Sequence, residues 1–151
     1  MNQIEEFDKL KTKVLKYIMY KKRTQREIKQ KFVDANPDML DEVIEQLKEL
    51  EYIDDNRYID KAVQEFMRLK NMSLKELKYK LLSKGLDKGL IEDYMEKHSN
   101  ELYEYEMQSA ENIVMKKGKG NQFLQEESQE LFVYLNKKGY TVEAIKGALN
   151  E

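Results

Sequence analysis

The sequence predicts an all-α protein: three tandem three-helix repeats forming an elongated or curved helical array. Three observations predict it. Breakers are scarce, with one Pro and six Gly among 151 residues of which 37% are charged, a mix that keeps long stretches helical. Hydrophobic residues make up 40% and recur at three-and-four spacing, so there is an apolar face whose burial opposes the entropy of ordering. Finally, Leu77, Leu81, Gly85, Ile91 and Met95 match Leu131, Leu135, Gly139, Ile145 and Leu149 at identical intervals, as a repeat architecture requires.

The first helix is expected from about Phe7 to Lys22, with Leu10, Val14, Tyr17 and Ile18 on one face. Thr24 to Glu27 reads as a capping box opening a second helix that turns Ile28 and Phe32 inward. Asn36 as N-cap and Pro37 at the first helical position announce a third, with Leu40, Val43, Ile44, Leu47 and Leu50 as its stripe. The pattern then returns. Asp55 is expected to cap a helix bearing Ala62, Val63, Phe66 and Met67, and Ser73 to Glu76 is a second capping box followed by Leu77 and Leu81. Lys84-Gly85-Leu86 reads as a Schellman stop, and Asp87 caps the helix of Leu90, Ile91, Tyr94 and Met95.

In the third pass Leu102, Tyr105, Met107, Ala110, Ile113 and Val114 supply a longer helix, and residues 116–122 (KKGKGNQ) read as a loop. Leu131 and Leu135 lead to Lys138-Gly139-Tyr140, Thr141 caps, and Ile145 and Leu149 follow. The first pass needs a two-residue insertion before Ile44, with Asn36 or a neighbour in place of its Gly. The repeat boundaries fall at 1–54, 55–98 and 99–151. Triplets of this size stack on their neighbours because one buries little by itself.

Composition narrows the function classes. With no Cys, disulfides, thiolate metal sites and a Cys nucleophile are excluded. No stretch approaches the roughly 18 apolar residues of a membrane span, and the first residues are acidic rather than a signal sequence, so the expected location is the cytoplasm. The net charge of −2 conceals segregation. Lys9 to Lys31 holds ten basic residues and one acid, whereas Asp34 to Glu65 holds eleven acids against Lys48, Arg57 and Lys61. A second basic stretch runs from Arg68 to Lys88 and a second acidic one from Glu92 to Glu106.

Family-like motifs lie on this frame. YIDDNRYIDKAVQEFMRLKNMSLKELKYKLLSKGL, from Tyr52 to Leu86, resembles the central signature of RecX proteins, modulators of the RecA recombinase. That signature is a Tyr-aliphatic-Asp-Asp-x-Arg-aromatic run, a helix ending in Arg, and a basic helix closed by Lys-Gly-aliphatic. VLKYIMYKKRTQREIKQKF, from Val14 to Phe32, is similar to the family's first helix pair, and ELFVYLNKKGYTVEAIKGAL to its C-terminal close. The resemblance covers nearly the whole chain in order. Where the family often has Gly between the first two helices of the middle repeat, this chain has Lys70-Asn71-Met72, and Asn can take the left-handed conformation. The resemblance implies a protein that binds RecA and its nucleoprotein filament, within the filament's groove, and limits filament growth, ATPase and strand exchange in recombination, DNA repair and the SOS response; a monomer is expected, although the sequence itself leaves the oligomeric state open. It implies no catalytic residue, cofactor or metal.

Two basic groups are candidate contacts for RecA or, weakly, for single- or double-stranded DNA. The first is Lys21, Lys22, Arg23, Arg26, Lys29 and Lys31, and the second is Arg68, Lys70, Lys75, Lys78, Lys80 and Lys84. The bland alternative for each is a solvated Lys-rich face. Tyr52, Asp54, Asp55, Arg57 and Tyr58 read as architectural, Asp55 capping a helix and the tyrosines packing at a repeat junction. His98 reads as a surface residue near a helix end, the KGKG stretch lacks the spacing of a phosphate loop, and the eight Met read as core filler. The alternative function is a winged-helix-type DNA-binding transcriptional regulator. Its third helix would enter the major groove, but that helix presents Asp41, Glu42, Glu45 and Glu49, which DNA repels.

Overall fold

In a computed structural model of the chain, residues 2–117 and 125–150 are described, and among them every regular element is a helix. In order these are α1 (Gln3–Tyr20), α2 (Gln25–Lys31), α3 (Pro37–Glu49), α4 (Asp55–Leu69), α5 (Leu74–Ser83), α6 (Lys88–Lys97), α7 (Ser99–Lys117), α8 (Gln125–Lys138) and α9 (Val142–Leu149). After Tyr52 the chain enters α4, where a winged helix would place strands. Lys116 and Lys117 belong to α7 instead of the expected loop, and the rest of that loop lies outside the described residues. None of the described helices is long and apolar enough to cross a membrane.

Capping sets most helix starts. Thr24 and Ser73 both form complete capping boxes, each hydroxyl accepting from the backbone three residues on while Glu27 and Glu76 return the bond to the cap N–H. Asn36, Asp87 and Thr141 cap α3, α6 and α9 as the spacing predicts. Two expectations are corrected. α1 starts earlier and ends earlier than predicted: Asn2 accepts from the Ile4 N–H, and Lys21 is already extended, so Lys21 and Lys22 stand in the turn that follows. Asp54, and not Asp55, caps α4 by accepting from the Arg57 N–H at 3.1 Å.

Gly85 and Gly139 sit at φ +88° and +97°. The bonds from Leu86 N–H to the Leu81 carbonyl and from Tyr140 N–H to the Leu135 carbonyl complete a Schellman stop at each. No such left-handed residue follows α2. Asn36 has φ −59° and serves only as the next cap. Asn71 is not left-handed either; its turn is fixed from outside, the Tyr105 hydroxyl donating to the Lys70 carbonyl at 2.6 Å and accepting from the Met72 N–H at 3.0 Å.

Burial divides into three clusters. One gathers Leu10, Val14, Ile18, Ile28, Leu40, Val43, Ile44, Leu47 and Ile53 from α1 to α3 and the turn after it. A second gathers Ile59, Val63, Leu77, Leu81, Leu86, Ile91, Tyr94 and Leu102, and a third runs from Ala110 through Leu135 to Leu149. The accessible surface is 10465 Å², against about 8,100 Å² for a compact monomer of this mass.

Two joints between the clusters are built alike. The Thr24 hydroxyl donates to the Lys84 carbonyl at 2.7 Å, and the Ser73 hydroxyl to the Lys138 carbonyl at 2.6 Å. The N-terminus of α2 thus abuts the C-terminus of α5, and the N-terminus of α5 abuts the C-terminus of α8, which sets opposite dipole ends together. An acid from the following long helix closes each joint: Asp55 accepts from Gln25 N–H at 3.3 Å, and Glu106 from Leu74 N–H at 2.7 Å. Glu106, only 4% exposed, also accepts from Thr141 N–H at 3.1 Å. Neither glycine has room for a side chain. A Cβ at Gly85 would stand 2.8 Å from Arg26 Cβ, and one at Gly139 2.7 Å from Lys75 Cβ.

Candidate functional site

The head-to-tail row of α2, α5 and α8 gathers most of the predicted cations, and the structure separates them by what they touch. Arg23 is half-buried with its guanidinium 4.3 Å from the centre of the Tyr17 ring, which itself meets Phe32 edge-on. Its Nε is buried without a hydrogen-bond partner among the described residues. It serves chiefly to brace the α1–α2 turn. Lys29 pairs with Asp41 at 3.7 Å and Lys78 with Glu92 at 3.4 Å, so the acidic third helices α3 and α6 partly offset them. Both pairs are solvated and worth little in stability, but they reduce the charge those lysines offer.

Arg26, Lys31, Lys75, Lys80 and Lys84 stand differently. Among the described residues none has a carboxylate within ion-pair distance. Arg26 lies across Gly85, next to Lys84, and Lys75 lies across Gly139, next to Lys138. Lys138 is thereby part of this surface although the spacing of the first two repeats does not reveal it. Lys75, Tyr79, Lys80 and Lys138 line a cleft of about 230 Å³ together with Met72, at its base, and Glu76, whose carboxylate accepts from the Ser73 N–H.

The remaining cations border two grooves on the side of the turns. Lys21, Lys22 and Arg23 face Tyr52, Arg57, Tyr58 and Lys61 across a groove of about 340 Å³, with Glu51, Asp54 and Glu65 on its rim. The first basic group and the Tyr52-to-Tyr58 motif, separate in sequence, therefore share one site. Arg68 and Lys70 meet Lys116 of α7 in a second groove of about 460 Å³, at the corresponding place one unit along. Tyr58 packs against the second cluster, whereas Tyr52 is 47% exposed and does not. Glu51, left-handed at φ +64°, turns the chain into this motif.

Electrostatics at the motif follow from burial. Desolvation raises the Asp55 carboxyl above its ordinary 3.8, against the lowering effect of its bond from Gln25 N–H. Burial likewise raises the Tyr58 phenol, which stays protonated and neutral at physiological pH. His98 stacks on Tyr94 with ring centres 4.1 Å apart and lies 3.7 Å from Glu101, at the junction of α6 and α7.

No family model matches the chain. Curated proteins do. The chain is 35% identical over 92 residues to the regulatory protein RecX of Streptococcus mutans, covering 60% of this chain and 36% of that one. It is 30% identical over 139 residues to the regulatory protein RecX of Finegoldia magna, covering 87% and 66%, and 27% identical over 151 residues to that of Clostridium acetobutylicum, covering 93% and 67%. The chain thus spans from about a third to two thirds of the length of these relatives. The fold superposes on the crystal structure of RecX from Lactobacillus salivarius with a TM-score of 0.83, at 22% identity over 97% of this chain and 96% of that one. A second crystal structure of regulatory protein RecX gives a TM-score of 0.78 at 21% identity, over 96% and 73%. The helical order, the shared fold and the sequence identity along most of its length agree: the chain belongs to the RecX family of regulatory proteins.

Proposed function

We propose that the chain binds RecA and its nucleoprotein filament and negatively modulates filament growth, ATPase and strand exchange in recombination and DNA repair. Membership of the RecX family supports this, as does the resemblance of its motifs. The observation that carries it is the row of α2, α5 and α8. There, cations without carboxylate partners among the described residues line joints that place N-cap against C-cap, while the acids gather on α3 and α6. A rigid basic ridge of this kind suits a long, repetitive, anionic partner. On this reading 1–54, 55–98 and 99–151 are three units laid along the filament, acting in the cytoplasm and without chemistry of their own. Direct contact with free DNA is the weaker part of the interaction.

The test is titration of the chain into RecA filaments on single-stranded DNA, with ATP hydrolysis as the readout. Inhibition at substoichiometric ratio is expected, and hydrolysis unchanged at equimolar chain refutes the proposal. Replacing Arg26 and Lys31, exposed cations without a carboxylate partner among the described residues, by Glu should weaken inhibition while helicity and melting temperature hold, whereas Arg23→Glu should also destabilise the α1–α2 turn that it braces. Undiminished inhibition removes the first basic group from the contact surface.

A further inference from the structure

The two joints carry the same cations in the same register. Arg26 and Lys31 stand two and seven residues after the cap Thr24, as Lys75 and Lys80 do after the cap Ser73. Lys84 and Lys138 each precede the glycine on which Arg26 or Lys75 lies. Each joint thus carries a triad of cations in the same register: Lys75, Lys80 and Lys138, which line one cleft, at the second, and at the first Arg26 beside Lys84, with Lys31 standing 5.8 Å from the centre of the Tyr17 ring. None of the six has a carboxylate within 4 Å among the described residues. Between the two triads runs α5, whose twelve residues from cap to cap span roughly 18 Å at 1.5 Å per residue.

At the second triad the cleft wall is Tyr79, 72% exposed on α5, above the buried Met72. The Tyr79 ring belongs to none of the three hydrophobic clusters. The corresponding position of the first joint, six residues after the cap Thr24 as Tyr79 is after Ser73, is Gln30. An exposed ring among three lysines is the pairing that single-stranded nucleic acid uses, its phosphates met by cations and an unstacked base by an aromatic face. A base inside a duplex has no free face to offer. An acidic protein surface would match the charge but would gain nothing from the ring or from a repeated spacing.

We infer that the two joints are two phosphate-binding stations for one single strand of nucleic acid, and that Tyr79 stacks on a base held at the second. The inference deepens the filament reading and rests on its premise that this ridge faces the nucleoprotein. Its test contains no RecA, so either can fail alone. The full chain is titrated into fluorescein-labelled oligo(dT) of 20 nucleotides, and anisotropy is read at several salt concentrations. Tyr79→Ala should weaken binding roughly tenfold or more, Tyr79→Phe should retain it, and Gln30→Tyr should tighten it. Lys75→Gln with Lys138→Gln should lower the salt slope by about 1.4, since each phosphate contact on a single strand contributes about 0.7. Because Tyr79 is exposed, its variants should melt as the parent does, which circular dichroism checks. Unchanged affinity for Tyr79→Ala overturns the inference. So does displacement of oligo(dT) by polyglutamate at equal charge concentration, which would assign the ridge to an acidic protein.

Discussion

The hydroxyl of Ser73 donates to the carbonyl of Lys138 at 2.6 Å while accepting from the N–H of Glu76 at 3.0 Å. One completely buried side chain therefore both starts α5 and ends α8. Ser73→Ala removes the cap and leaves a helix-terminal carbonyl without its side-chain donor, costs of about 1 kcal/mol and about 1–3 kcal/mol. The expected loss is thus about 2–4 kcal/mol in urea unfolding. Ser73→Thr keeps the hydroxyl and should lose much less, because Thr fills the corresponding place at position 24. Equal losses for the two would mean that packing, and not the shared hydroxyl, holds the joint.

Gly139→Ala tests the same joint from the other side. A non-glycine residue in the left-handed region costs about 1–2 kcal/mol, and the added Cβ would press on Lys75 Cβ at 2.7 Å. The melting temperature should fall by more than the backbone term alone accounts for. Gly85→Ala should behave likewise against Arg26. Adding Lys75→Gly to Gly139→Ala should recover the steric part when the cost of glycine within α5, measured in Lys75→Gly alone, is subtracted. Simple additivity of the two changes would show that no contact strain exists.

How far the sequence discloses this fold depends on the range of the interaction that decides each feature. Thr24, Asn36, Ser73, Asp87 and Thr141 are legible as caps because a cap is satisfied within three residues. Asp54 and Asp55 are adjacent and chemically identical, so local spacing does not choose between them. The choice is made 30 residues away, where Gln25 N–H takes Asp55 as its acceptor. The basic residues are visible individually, but pairing with Asp41 and Glu92 and bracing on Tyr17 distinguish Lys29, Lys78 and Arg23 from the rest only once helices are packed. Lys138 escapes notice for the same reason. A signal for the triads does exist in the constant offset from each capping box and each glycine, although it is weak until the joint gives that offset a meaning.

Glu106 illustrates a hidden residue with a readable trace. It lies in an acid-rich stretch, yet it stands four residues after Leu102 and four before Ala110, on the apolar stripe of α7. A charge there needs partners, and it finds the N–H groups of Leu74 and Thr141. Glu106→Gln keeps one acceptor oxygen and places an amide donor against an N–H, so a loss of about 1–3 kcal/mol is expected. Glu106→Ala leaves both N–H groups without this acceptor and should lose more. Hydrogen exchange gives the sharper readout: the amides of Leu74 and Thr141 should accelerate together in either variant, while that of Gln25 at the other joint should not. Independent exchange of the two amides would show that Glu106 does not couple α5 to α9.

Asp55 gives the opposite pH behaviour to the usual structural carboxylate. Burial raises its folded-state value above 3.8 despite the bond from Gln25, so the folded protein holds this proton at a pH where the unfolded chain has released it. The folded state accordingly loses stability from this group as pH rises through that interval, and regains it as pH falls toward 3.8. Asp55→Asn retains an oxygen to accept from Gln25 N–H without a charge to desolvate. It should therefore melt at or above the parent temperature at pH 7, with the advantage shrinking as pH falls and absent below about 3.8, where the parent carboxyl is protonated in both states. Paired thermal melts from pH 3 to 7 measure this directly. A difference that does not vary with pH, or that grows on acidification, would mean that the hydrogen bond to Gln25 outweighs desolvation and that Asp55 is an ordinary stabilising carboxylate.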